Sequence, residues 1–347
     1  MDPLTHALSG ALLARATARA TPDALPLRRQ VAAGFAAALF PDADLVLRLA
    51  GTIHYLNWHQ GPTHSLLLWP LWGLLLAQLF ARLDRGRRWQ AYYPVACLGI
   101  AIHIAGDLLT AYGTMLFAPL SSARFALPLA FVIDPRLTAI IGLGLLGARV
   151  APHGRAVAGA ALVLLAAYLG FLHLQREQAL AIGEAYRAAL PGGGAAQLSA
   201  LPQPLAANWL VVVRAADGYH IARVRLRGAL PASVAALLPG RLRALDAAFR
   251  PPDAAQWRWL AQFGEEPGDA ALAREAWRQP AFAPFRRFAA LPLLDRVERG
   301  AGSECAWFMD LRFVLPALSP SFRFAACREA PDGAWRMVRA RGAFWID

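Results

Sequence analysis

Over the first 174 positions, apolar residues come in long runs separated by short clusters of Arg. Two runs, 65–81 and 156–174, contain no charged residue, and each is long enough to cross a hydrocarbon core of about 30 Å as a helix. Two more hold polar residues inside them: 92–117 contains His103 and Asp107, and 125–148 contains Asp134-Pro135-Arg136. Run 31–50 is broken by Phe40-Pro41-Asp42-Ala43-Asp44, and 4–14 is too short to span. From residue 175 the pattern changes. Charges recur every few positions, Pro and Gly are frequent, and 208–215 and 219–227 read as strands around a hairpin signal at Asp217-Gly218. Stretches 306–315, 322–328 and 334–341 predict further strands, while 232–290 reads as mostly helical or irregular. The expected fold class is an all-α, multi-span membrane helical bundle over 1–174, followed by a soluble α+β domain over 175–347.

Composition agrees with a bilayer as the solvent of the first part. Of 347 residues, 57% are hydrophobic and 17% charged, and the mean hydropathy is +0.37. This excludes a disordered chain, a collagen-like fibre and a disulfide-dense mini-protein. The net charge is +12, with all 35 basic residues being Arg. No nucleic-acid partner is predicted, because the Arg residues are scattered or flank apolar runs, as in membrane proteins. Arg15, Arg19, Arg28 and Arg29 form one cluster; Arg82, Arg85, Arg87 and Arg88 a second; Arg149 and Arg155 a third. The positive-inside rule puts all three in the cytoplasm. The loop from His59 to His64, the stretch 118–134 and the tail from 175 then fall on the far side. There Cys305 and Cys327 can pair, whereas Cys97 sits inside an apolar run. The start Met1-Asp2-Pro3-Leu4-Thr5-His6 has neither a basic n-region nor a following cleavage pattern, so no removable signal peptide is expected.

Half of the His and Asp residues of the first part fall in four motifs: Pro3-Leu4-Thr5-His6, Phe40-Pro41-Asp42-Ala43-Asp44, His59-Gln60-Gly61-Pro62-Thr63-His64-Ser65 and His103-Ile104-Ala105-Gly106-Asp107. Imidazole and carboxylate are the ligands zinc and similar metals prefer. His103 and Asp107 are four residues apart, on one helix face, and an ionised Asp within a bilayer is costly without a partner. Gly99 and Gly106 leave room for a second helix. His64 is expected to open a helix beginning near Pro62. By the Arg-based topology all four motifs map to one side of the membrane. Asp134 falls there too, equally readable as a ligand or as a helix-start residue. Six ligands, His6, Asp42, His59, His64, His103 and Asp107, exceed what one tetrahedral zinc needs, which favours two or more ions, zinc or another divalent metal. Asp42 or Asp44 is the candidate bridging or general-base residue, and Asp44 is also readable as a support for a ligand. The alternative is a non-enzymatic membrane protein that binds metal or relays ions or protons through its intramembrane His and Asp.

In this order the motifs resemble the YdjM-like membrane-bound metal-dependent hydrolases of bacteria, over about residues 1–150. That family is distantly similar to zinc-dependent phospholipase C and related nucleases. The resemblance implies a multi-pass protein of the bacterial inner membrane, with membrane lipids around it; the tail from 175 lies outside the resemblance, and its periplasmic or extracellular placement rests on the Arg clusters. It implies metal-activated water acting on a phosphodiester or on a small-molecule or lipid-like substrate, with the six residues above as ligands. Where the family often carries a basic residue after its first loop His, this chain has Gln60.

Overall fold

The first helix, α1 (Pro3–Ala16), shows how local chemistry and packing cooperate in this chain. Asp2 caps it, its carboxylate accepting from the Thr5 amide at 3.0 Å and from the Thr5 hydroxyl at 2.6 Å, and Pro3 occupies the first turn. Too short to span a bilayer, α1 is instead buried along most of its length, against α2 (Leu27–Leu39), α5 (Trp89–Leu108) and α6 (Pro135–Val150). Small residues allow this. A Cβ added at Gly10 would stand 2.3 Å from the Gly34 carbonyl oxygen and 2.4 Å from the Ala38 Cβ, so α1 and α2 touch backbone to backbone.

The structure is a computed structural model; it describes residues 1–18, 21, 24–84, 88–205, 207–228, 233, 239–300, 302–330 and 332–340. Arg19, Arg85 and Arg87 of the predicted clusters, parts of 232–290 and the Arg341 end of a predicted strand lie outside the described residues. The chain divides into two units, Met1–Leu174 and Gln175–Asp347.

In the first unit α2 runs into a 3-10 segment, Phe40–Ala50. After it come α3 (Thr52–Trp58), a 3-10 turn at Pro62–His64, α4 (Trp69–Leu83), α5, α6 and the start of α7 (Gly154–Ala189). Among the described residues, three stretches are long and apolar enough to cross a membrane: Leu27–Ala50, Trp89–Leu108 and Gly154–Ala189. The uncharged run 65–81 differs from expectation. It is not one straight helix opening at Pro62, because Thr52–His64 and Trp69–Leu83 meet at 80° and qualify as a span only together. The bend is pinned by the Ser65 hydroxyl, which donates to the Ala118 carbonyl at 2.6 Å, and it turns His64 into the bundle, where it is fully buried.

Polar contacts gather the Arg-bearing helix ends at one end of this bundle. Arg15 donates to the Ala148 carbonyl at 3.1 Å and Arg155 to the Ala16 carbonyl at 3.1 Å. Arg29 pairs with Asp84, which also accepts from the Tyr92 hydroxyl at 2.6 Å. His6, Asp42 and Asp107 lie at the other ends of α1, α2 and α5.

The second unit begins in the C-terminal part of α7, where Ala179 packs with Trp209, Val211, Ala222 and Val224. The first sheet is antiparallel in the order β1 (Gln197–Pro202), β2 (Asn208–Arg214), β3 (Gly218–Arg225), β4 (Arg258–Ala261). Among the helices of this unit are α8 (Gly240–Asp246), α9 (Pro267–Arg278) and α10 (Ala283–Phe288). The second sheet runs β5 (Pro292–Arg299), β6 (Glu304–Asp310), β7 (Phe324–Arg328), β8 (Arg336–Arg339), also antiparallel. Its core is aromatic, with Phe282, Phe285, Phe308 and Phe324 buried around Trp277. Cys305 and Cys327 are directly paired across β6 and β7, with Cα atoms 4.1 Å apart, and form a disulfide. Cys97 is free.

Candidate metal centre

All six predicted ligands, together with Asp44, come together at the end of the bundle opposite the Arg clusters. His103 and Asp107 sit in the last turns of α5, stacked on one face, with His103 Nε2 3.2 Å from Asp107 Oδ2. The bend before α4 brings His64 Nε2 to 3.0 Å from Asp107 Oδ2 and 3.0 Å from His103 Nε2. From α1, His6 stacks on the His103 ring, centroids 3.7 Å apart, and places Nε2 3.0 Å from Asp107 Oδ1. The amino group of Met1 contacts the same oxygen. Gly106 makes room for the His6 ring, since a Cβ there would lie 3.1 Å from His6 Cε1. The 3-10 segment after α2 supplies Asp42, whose Oδ1 is 3.8 Å from His103 Nε2, and Asp44, whose Oδ1 is 2.8 Å from His59 Nδ1.

Among the described residues two groups of donor atoms result, each within 4.8 Å mutually: Asp42, His64, His103 and Asp107 in one, and Asp42, Asp44 and His59 in the other. Asp42 belongs to both. The chemistry of the first group fits a cation. His64 Nε2, His103 Nε2 and Asp107 Oδ2 form a triangle with sides of 3.0, 3.0 and 3.2 Å. Ligand atoms about 2.0–2.1 Å from a tetrahedral zinc lie about 3.3 Å from one another. Moreover, among the described residues the buried Asp42 Oδ2 finds no hydrogen-bond donor, and the buried Asp107 Oδ2 faces only the ring nitrogens of His64 and His103, although most buried side-chain polar atoms are hydrogen-bonded.

Supporting contacts orient the imidazoles. His103 Nδ1 lies 2.6 Å from the Ala38 carbonyl, so its proton is held on that nitrogen and Nε2 faces the cluster. His64 Nδ1 is 2.9 Å from the Thr63 hydroxyl. Asp44 accepts from the Gln60 amide at 3.0 Å and the Thr63 hydroxyl at 3.3 Å as well as contacting His59. Gln60 is buried, with its side-chain carbonyl accepting from the Thr114 hydroxyl at 3.1 Å. Asp134 is not part of the cluster. It caps α6, accepting from the Arg136 and Leu137 amides and from the Tyr168 hydroxyl.

Sequence reasoning missed Arg124. Its guanidinium donates to four carbonyls, those of Leu56, Asn57, His59 and Gly113, at 2.7 to 3.2 Å. It therefore ties the His59 loop to the strand-like segment before Met115. Arg124→Ala should leave several of these acceptors short of donors and cost on the order of 3 kcal/mol. A thermal midpoint unchanged from wild type in the same detergent would show that the strut carries no load.

Comparison with known proteins agrees with this architecture. The Bacillus subtilis "Uncharacterized protein YfhP" is 29% identical over 104 residues, covering 27% of this chain and 29% of that protein. The chain thus spans less than a third of that curated relative's length. No solved structure matches. A family model described as YdjM inner membrane protein matches residues 1–179, about half of the sequence. With its apolar helices and its buried His and Asp cluster, the chain belongs to the YdjM inner membrane protein family.

Proposed function

We propose that the protein is a membrane-bound metal-dependent hydrolase acting on a phosphodiester or lipid-like substrate. The observation that carries this reading is the buried cluster itself, in which the Asp42 and Asp107 carboxylates stand among the ring nitrogens of His64 and His103, and neither Asp42 Oδ2 nor Asp107 Oδ2 has any other hydrogen-bond donor among the described residues. His64, His103 and Asp107 would hold one divalent ion, zinc being the ion this donor set suits best, with His6 supporting Asp107. Asp42, which belongs to both donor groups, would also help hold an ion at a second position with His59. A bound divalent ion supplies Lewis-acid polarisation of a phosphoryl or acyl oxygen and lowers the pKa of water. The chain's own residues do the rest. Where an ion does not engage it, the Asp42 carboxylate would accept a proton; Asp44 holds His59 in place, the Ala38 carbonyl accepts from His103 Nδ1, and the Thr63 hydroxyl hydrogen-bonds His64 Nδ1.

The ion- or proton-relay alternative fares less well. A relay needs polar groups along the bundle, and below His103 the buried residues of α5 are Ile100, Gly99 and Ala96 before Tyr92 at the far end. Metal analysis of the detergent-purified full chain tests the proposal. About two zinc per chain, together with hydrolysis of phosphodiester, phospholipid or ester substrates, is the expected result. Protein purified without chelator that carries no metal would overturn it.

We also propose that the tail from residue 175 lies outside the cytoplasm. The positive-inside rule assigns the Arg-rich end to the cytoplasm, and α7, 36 residues long, starts at that end. A helix of that length measures about 54 Å, against a hydrocarbon core of about 30 Å. The Cys305–Cys327 disulfide suits an oxidising compartment. A reporter active only in the cytoplasm, fused after residue 200, should be silent. An active reporter would reverse the sidedness and put the metal centre on the cytoplasmic face.

A further inference from the structure

Three described Arg residues depart from the basic end of the bundle and lie toward the metal end: Arg48, Arg124 and Arg136. Arg124 is committed to four carbonyls, and Arg136 interacts with the Tyr168 hydroxyl at the start of α6. Arg48 differs. Among the described residues its guanidinium has no carboxylate or carbonyl partner; it lies over the Tyr55 ring, 5.5 Å from the centroid. Tyr55 stacks in turn on His59, with centroids 4.5 Å apart and planes 23° from parallel. A cation, a phenol ring and a candidate ligand thus form one column.

That column stands where the cluster opens. The side chains of His6, His64, His103 and Asp107 are sealed, whereas those of Asp42 and His59 remain 16% and 15% exposed. The 3-10 segment that carries Asp42, Asp44 and Arg48 also exposes Leu45, Val46 and Leu49, the last at 88%. An apolar outer face beside an unpaired guanidinium is how a protein meets the boundary between acyl chains and headgroups, with the side chain's charge at headgroup level. Guanidinium binds phosphate oxygens through two parallel hydrogen bonds, and does so best where water is scarce.

Resting on the hydrolase reading, we propose that Arg48 binds the phosphate of a phospholipid-type diester and presents it to the opening between Asp42 and His59. The shared chemistry is a singly charged phosphate diester. The exposed Leu45, Val46 and Leu49 favour one carrying acyl chains over a water-soluble ester. In this arrangement Arg48 selects the substrate and touches no ligand of the metal, so its loss should change binding without changing metal content.

The test is calorimetric titration of the metal-loaded full chain, in a detergent without phosphate, with two probes: dihexanoyl phosphatidylglycerol and inorganic phosphate. Wild type should bind the lipid more tightly than phosphate. Arg48→Gln should weaken lipid binding about tenfold or more, and Arg48→Lys should recover part of it, because charge is restored without the fork. Wild type that binds both probes alike, with both weakened by Arg48→Gln, would keep the phosphate contact but overturn the lipid source. Metal-loaded Arg48→Gln that binds lipid as wild type does would overturn the proposal. Metal content is measured on the same samples, so wild type devoid of metal would count against the hydrolase reading instead.

Discussion

Asp107→Asn should strip the protein of metal and leave the bundle folded. Asn matches Asp in shape and replaces an anionic oxygen by an amide. Three imidazoles, those of His6, His64 and His103, converge on this carboxylate within 3.2 Å. Without its charge, Asp42 alone is left in the first donor group to neutralise a divalent ion. The loss of bound metal and of any hydrolysis should exceed the roughly 10–100-fold typical of a supporting residue. Asp44→Asn, whose oxygens are taken by His59, Gln60 and Thr63, should stay within that lower range. Elemental analysis of both variants, with elution profiles to check folding, gives the comparison. Full metal content in Asp107→Asn would move the centre of the site elsewhere.

The second large effect is expected far from any ligand. Gly10→Leu would push a side chain into the backbone of α2, where even a Cβ meets the Gly34 carbonyl at 2.3 Å. Overpacking of this kind costs roughly 1–3 kcal/mol in an adaptable core, and two helix backbones in contact adapt less than side chains do. The damage should reach the metal centre, because the displaced helix carries the Ala38 carbonyl that orients His103. The control is Gly142→Leu on α6, where an added Cβ meets nothing within 4 Å. The Gly10 variant should give little monodisperse protein and the Gly142 variant a normal yield. Equal yields would mean that α1 packs less closely than described.

How much of this was legible beforehand depends on whether a contact is local. The His103 and Asp107 pair could be read from the four-residue spacing alone. The shared end of His6, Asp42, His59 and His64 followed from where the Arg clusters fall. The Ala38 carbonyl and the Arg124 guanidinium were invisible, because their partners are backbone groups chosen by tertiary packing. Helix initiation at Pro62 was a sound local inference that the bend overrode: burying His64 requires the chain to turn before α4 starts. In the second unit, β2, β3, β6 and β7 correspond to the alternating stretches read from the sequence, as does β8, although several ends differ. The strands missed were β1, β4 and β5, all at sheet edges. Edge strands bury less and tolerate Pro and charge, as Pro202 in β1 and the Asp295-Arg296 pair in β5 illustrate.

The separation of the ligands along the chain imposes a timetable on biogenesis. His6 waits for a carboxylate 101 residues downstream, so nothing resembling the finished centre exists until α5 has been made and inserted. Until then His6 and His64 are neutral or solvated passengers at one face of a growing assembly. The arrival of Asp107 brings a charge that a bilayer does not accept alone, and docking of α5 against α1 and α2 is the event that meets this demand. The first donor group is therefore complete only once α5 has docked, with α6 and α7 still to follow. A chain stalled before residue 107 should enter the membrane without the first donor group, retaining only the Asp42, Asp44 and His59 group for a metal ion.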